Sequence, residues 1–83
     1  MDLRQLRYFI GVCEAGSVLQ ASSRLHIAQP ALSQQIAALE DELGIQLFVR
    51  TSRGMLLTEA GLLFREHVDG ILTSVQRARQ AMR

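Results

Sequence analysis

The sequence predicts a small, mainly α fold: three short helices, a two-stranded hairpin and a long last helix. Three observations predict it. Apolar residues recur at helical spacing from Leu3 to Leu43. The period then breaks between Gly44 and Thr58, where Leu47-Phe48-Val49 and Met55-Leu56-Leu57 flank the turn residues Thr51-Ser52-Arg53-Gly54. Beyond that break, apolar residues spaced 4-3-4-3-4 run from Phe64 to Met82.

With 83 residues, 48% of them apolar, the chain is long enough for one small domain with a modest core, to which a partner chain can add. The formal charge of +1 neither favours nor excludes a polyanionic partner, so the placement of charge decides. All 9 basic residues are arginine, whose planar fork suits phosphate and base edges. The single cysteine, Cys13, excludes an internal disulfide and fits a reducing compartment. No apolar signal core follows Met1, and no apolar run approaches the roughly 20 residues that span a bilayer. The expectation is a soluble, cytoplasmic protein without a membrane partner.

Leu3, Leu6, Phe9, Ile10 and Cys13 form a helical stripe interleaved with Arg4, Gln5, Arg7 and Glu14, which predicts a first helix over about residues 2–14. Gly16 suits its C′ position. Ser17-Val18-Leu19-Gln20 reads as a capping box, the serine hydroxyl and glutamine side chain each satisfying a backbone donor of the other. A second helix therefore starts at Val18 with Val18, Ala21, Ser22 and Leu25 inward, and their small size admits another helix at close range. His26-Ile27-Ala28 connect to a third helix, in which Pro30 suits the first turn and Gly44 provides the stop after Leu43. Its apolar stripe is Leu32, Ile36, Leu39 and Leu43. Gln29, Pro30, Ser33, Gln34 and Ala37 fall on a neighbouring side, small or hydrogen-bonding and uncharged.

Two helices joined by about three or four residues, the second opening on polar groups, make a helix-turn-helix, and a following hairpin makes it a winged one. Thr58 can cap a fourth helix beginning at Glu59, whose charge favours a first turn. Phe64, Val68, Ile71, Val75, Ala78 and Met82 then form a heptad seam. At roughly 25 residues this helix is about 37 Å long, too long for so small a body to cover. The expected architecture is a winged helix-turn-helix over residues 1–58 and a dimerising linker helix over residues 59–83, with Phe64 to Met82 as the interface. Lengthwise packing of that helix on its own domain is the alternative. The chain also ends inside this helix without a stop signal, as a piece of a longer protein would.

Charge narrows the surface that can meet a partner. Glu40-Asp41-Glu42 close the third helix, oppose its dipole and would repel phosphates. Only the first half of that helix can enter a groove, which points to Gln29, Ser33 and Gln34 for base edges and to Pro30 and Ala31 for a thymine methyl. With Ala28 and Gln29 at the candidate cap positions, the helix start also has free N–H groups for a phosphate. Arg50 and Arg53 sit on the hairpin with no acid between Gly44 and Thr58, a placement suited to phosphate or minor-groove contact. Arg4, Arg7 and Arg24 are further phosphate candidates. Catalytic readings find no support. His26 and His67 lie on different elements, Cys13 sits on an apolar face as a packed thiol would, and no metal-ligand spacing, nucleophile elbow or glycine-rich phosphate loop occurs. No metal or cofactor is expected in this segment, and no catalytic residue is assigned.

The ordered set Leu3-x-x-Leu6-x-x-Phe9, Gly16-Ser17, Ala21, Leu25, Gln29-Pro30-Ala31-Leu32-Ser33, Gln35-Ile36, Leu39-Glu40, Leu43-Gly44, Leu47-Phe48, Arg50 and Leu57-Thr58-x-Ala60-Gly61 resembles the N-terminal DNA-binding domain of LysR-type transcriptional regulators of bacteria. The resemblance implies a winged helix-turn-helix, a linker helix that pairs two subunits, and a C-terminal effector domain, absent from this sequence, for a small molecule. It implies early recognition-helix residues in the major groove, here Gln29, Pro30, Ser33 and Gln34, and wing residues Arg50 and Arg53 at the minor groove or backbone. A homodimer on an inverted-repeat site is expected, with a higher oligomer at full length and room for contact with RNA polymerase. Val18, Ser22 and Ala28 depart from the usual Phe, Ala and Ser of the family. The function expected is sequence-specific binding of double-stranded DNA without enzymatic activity. The rival is a helical protein-interaction module built on the heptad helix, with DNA binding incidental.

Overall fold

The structure is a computed structural model that describes all 83 residues. Its elements are α1 (Leu3–Ala15), α2 (Val18–Leu25), α3 (Gln29–Leu43), β1 (Phe48–Thr51), β2 (Gly54–Leu57) and α4 (Glu59–Ala81). Each start and stop has a local cause. Asp2 caps α1 by accepting from the Gln5 N–H at 2.8 Å, and Gly16 ends it at φ 77°, a left-handed conformation that costs glycine little. Ser17 Oγ accepts from the Gln20 N–H at 3.1 Å and starts α2; the return bond of the expected capping box is not made, because the Gln20 side chain lies in solvent. α2 ends at His26, a non-glycine residue held at φ 56° and ψ 44°. That left-handed step is the turn that redirects the chain into α3.

The hairpin pairs Phe48 with Leu57, Val49 with Leu56, Arg50 with Met55 and Thr51 with Gly54. β1 thus begins one residue later than the apolar pattern implied, and Leu47 packs in the core instead. Thr51 Oγ accepts from the Arg53 N–H and donates to the Gly54 carbonyl, both at 3.1 Å, which ties the tip of the turn. The wing does not hang free. The Met55 N–H donates to the Gly16 carbonyl at 2.9 Å, and a Cβ on Gly54 would sit 2.3 Å from that same oxygen.

One cluster of 11 buried residues draws on every element but β2: Leu6, Phe9 and Val12 from α1, Val18 and Ala21 from α2, Leu32, Ile36 and Leu39 from α3, with Leu47, Phe48 and Val68, while Met55 and Leu57 of β2 pack against it half-buried. Phe9 is its hub, with ring centroids 5.3 Å from Phe48 on the wing and 5.1 Å from Phe64 on α4. Both pairs are tilted rather than face to face, the arrangement the ring quadrupoles favour.

α4 is where expectation and structure part. Thr58 Oγ accepts from the Gly61 N–H at 3.0 Å and donates to the Gln46 carbonyl at 2.7 Å, while the Thr58 N–H donates to the Leu47 carbonyl at 3.0 Å. These bonds press the helix start against Leu47. Val68, expected in the dimer seam, is 0% exposed in the chain's own core, and Phe64 is half-buried on Phe9. A helix whose first half lies along α1 turns Val68 fully inward, so Val68 is removed from the interface set, while Phe64 keeps part of its surface open. The packing unit correspondingly runs past residue 58, since the first half of α4 completes the core. Ile71 at 41% exposure, half-buried Val75, and exposed Ala78 and Met82 remain along the projecting half.

Two glycines on α4 should respond in opposite ways. A Cβ on Gly61 would lie 2.1 Å from the Leu47 carbonyl oxygen, whereas a Cβ on Gly70 meets nothing within 4 Å. In urea denaturation, Gly61→Ala should lose about 2 kcal/mol or more through backbone displacement, while Gly70→Ala should be neutral or gain up to about 1 kcal/mol from helix propensity. Equal effects of the two would contradict the docking of α4 described above.

Candidate nucleic-acid interface

α3 packs Leu32, Ile36 and Leu39 inward, with α1 and α2 as its neighbours. At 3.6 residues per turn this burial fixes which side faces out. Gln29, Pro30, Gln34 and Ala37 are exposed and Ser33 is half-buried. Ser33 and Ala37 line a groove between α3 and the wing, and Arg50 lines its other wall beside Val49. Arg53 is exposed at the hairpin tip. The structure thus brings Ser33, Ala37 and Arg50 together, with Gln29, Pro30 and Gln34 on the adjoining surface and Arg53 at its edge. Ala31 is set apart. It lies about 160° around the helix from Ser33, on the flank of Gln35, so it is removed from the groove set.

The helix start is open. Ala28 occupies the cap position with no side-chain hydrogen bond, and the first intrahelical bond runs from the Leu32 N–H to the Ala28 carbonyl at 3.0 Å. The N–H groups before it point out of the helix end, where the dipole favours an anion.

The acidic run at the far end is less uniform than its sequence implies. Glu42 accepts from the Met1 ammonium at 2.7 Å, and that hydrogen bond raises the amine's pKa. Glu40 Oε2 accepts from the backbone N–H groups of Leu47 at 2.7 Å and Phe48 at 3.2 Å. Asp41 is the one acid of the three without such a partner. Only Glu42 has a cationic partner; Glu40 keeps its negative charge beside neutral N–H donors, so Glu40 and Asp41 still disfavour a phosphate at this end of α3.

Two polar contributors escaped the sequence reading. Gln5 is 8% exposed, and its Nε2 donates to the Gln35 carbonyl at 3.1 Å, which fixes α1 against α3. Its signal was a polar residue in register with Phe9 and Val12 on the buried face. Glu40 had no comparable signal, since its partners lie in a loop. Cys13 is half-buried, and desolvation is the main cause that pushes its thiol up to about 11. No group of three or more His, Cys, Asp or Glu residues is placed to hold a metal ion, and no helix is long and apolar enough to cross a membrane.

Residues 3–62, from the start of α1 into the first turn of α4, match the family described as bacterial regulatory helix-turn-helix protein, lysR family. The chain belongs to the LysR family. The nitrogen assimilation regulatory protein nac of Klebsiella aerogenes is 49% identical over 82 residues, covering 99% of this chain and 27% of the relative. The structure of BenM DBD in complex with benA site 1 DNA superposes with a TM-score of 0.94 at 44% identity, covering 99% of this chain and 95% of that one. A CbnR DBD–DNA complex gives a TM-score of 0.86 at 46% identity, with both chains covered over 100% of their length. The present chain thus spans about a quarter of the curated LysR relative and nearly the whole of the two excised domains. The three helices and two-stranded wing are those of the family's winged helix-turn-helix.

The thiol makes a direct check on the α1 packing. With a pKa near 11, only about one Cys13 in a thousand is thiolate at pH 8, so alkylation by iodoacetamide should be far slower than for an unstructured cysteine and should recover in urea. Equal rates with and without urea would mean that the face carrying Cys13 is not packed.

Proposed function

We propose that this chain is the DNA-reading domain of a dimeric bacterial transcriptional regulator, which recognises a specific double-stranded sequence and catalyses no reaction. The observation that carries the reading is the juxtaposition of an uncharged, hydrogen-bonding α3 face with an arginine-bearing wing across one groove. Gln29, Ser33 and Gln34 present amide and hydroxyl groups that pair with base edges, and Pro30 offers an apolar contact to a thymine methyl. Arg50 and Arg53 supply phosphate or minor-groove contact, and the open start of α3 offers N–H groups to a phosphate. Complexes with DNA recorded for the BenM and CbnR domains, at 44% and 46% identity, support the assignment.

The dimer reading rests on the projecting half of α4, where Ile71, Val75, Ala78 and Met82 lack full cover. Charge along that helix is segregated: Glu59, Glu66 and Asp69 lie in the first half with Arg65, and Arg77 and Arg79 lie in the second, with Arg83 just past its end. A two-fold through this half would present two α3 helices to half-sites about 34 Å apart or a multiple of it. The setting consistent with this function is the bacterial cytoplasm. The remaining length of such a regulator would carry the small-molecule effector site and any contact with RNA polymerase.

On a duplex selected from a random pool, Gln29→Ala or Ser33→Ala should cost roughly 1 to 3 kcal/mol and relax base preference, read by fluorescence anisotropy at two salt concentrations. Equal losses on selected and random duplex would defeat the base-reading assignment, and salt-insensitive binding would favour a protein-interaction module. Sedimentation tests the pairing independently: Ile71→Asp should convert dimer to monomer, and an unchanged sedimentation coefficient would place the interface elsewhere.

A further inference from the structure

The groove between α3 and the wing contains one charge that a DNA-facing surface should avoid, the carboxylate of Glu40. Its bonds explain its presence. The Glu40 backbone carbonyl accepts from the Gly44 N–H at 2.8 Å and the Ile45 N–H at 3.2 Å, closing α3, while its Oε2 accepts from the N–H groups of Leu47 and Phe48, at 2.7 and 3.2 Å, opening β1. A single residue therefore ends the recognition helix and starts the wing. Between them, Gly44, Ile45 and Gln46 are exposed, and apart from Glu40 the segment is held by the Thr58 hydroxyl, which donates to the Gln46 carbonyl at 2.7 Å. Arg50 follows Phe48 by two residues and lines the same groove as Ser33.

We propose that Glu40 is a positioning residue for DNA binding, setting the wing's offset from α3 so that the helix and the hairpin arginines engage the duplex together. This rests on the DNA-reading function above and adds a residue that touches neither base nor phosphate. Its carboxylate binds two backbone donors on a side chain seven residues beyond Ser33, about 10 Å along the axis, where the helix is leaving the groove. Loss of the link frees the Leu47 and Phe48 N–H groups while Thr58 still holds the Gln46 and Leu47 carbonyls and Met55–Gly16 holds the far strand, so β1 shifts against α3 without leaving the core. The arginines then sample positions that no longer match the spacing of helix and backbone.

A double-mutant cycle on the full 83-residue chain reads this directly. Affinities for a duplex selected by the wild type are measured for Glu40→Ala, Arg53→Ala, Gln29→Ala and the two doubles containing Glu40→Ala. Glu40→Ala should weaken binding on the order of ten-fold, and adding Arg53→Ala should cost clearly less than it does in the wild type, because the wing is already misplaced. Adding Gln29→Ala should multiply the loss in full. Glu40→Gln, whose amide oxygen can accept the same bonds, should restore most of the affinity, and the bases selected from a random pool should stay the same. Full multiplication with Arg53→Ala, or unchanged affinity alongside reduced urea stability, would overturn the proposal in favour of a purely structural role. A changed preference at one base pair would overturn it in favour of direct base reading. Should Glu40→Ala fail to fold, Glu40→Asp, which keeps the charge but shortens the reach, takes its place in the cycle. A wild type that binds no duplex at low salt would defeat the DNA-reading function itself, a result distinct from a binding wild type with an additive cycle.

Discussion

The ring of Phe9 is the contact on which the arrangement depends. It lies at the middle of α1, is fully buried, and meets Phe48 from the wing and Phe64 from α4. A chain this short cannot build separate cores for a helical body, a wing and a long terminal helix, so the three share one cluster. The consequence for function is geometric. The wing and α4 are both referred to α1, the helix to which Gln5 also fixes α3.

Polar links refine what the apolar cluster begins. Hydrophobic contact is non-directional and sets elements near one another without fixing their offset. Directional bonds remove that freedom: Gln5 with Gln35, Glu40 with the start of β1, and Met55 with Gly16. Close backbone approach adds to them where glycine allows it, at Gly54 against Gly16 and at Gly61 against Leu47. Gln5 and the Met55–Gly16 bond tie α3 and the wing to α1 behind them, and Glu40 ties α3 and the wing to each other. The resulting surface is a side of α3 and a wing whose separation is held by bonds as well as by burial.

α4 carries two duties on one continuous apolar repeat. Its first half is an internal element, with Val68 as buried as any residue in the chain, and its second half extends from the body with Ile71 and Met82 exposed. A heptad spacing tells only that one side of a helix is apolar. It does not tell what covers that side. Here the same line of residues passes from the chain's own core to an uncovered surface, the one on which the proposed pairing rests.

Much of this was legible in the residues themselves. The period of Leu32, Ile36 and Leu39, the stops at Gly16 and Gly44, the caps at Ser17 and Thr58 and the change of period at the hairpin are local properties, and they determined the order of elements and the uncharged side of α3. Hydrogen bonds between distant segments and the rotation of a helix about its own axis are not local, and only the tertiary structure decided them. It turned Val68 inward and Phe64 onto Phe9, left the capping box half made, and brought Glu40 to the start of the wing. The physical reason is the same in each case. A side chain's type restricts what it can bond or bury, but which partner it meets depends on packing that three helices, a hairpin and a fourth helix settle jointly around one small core.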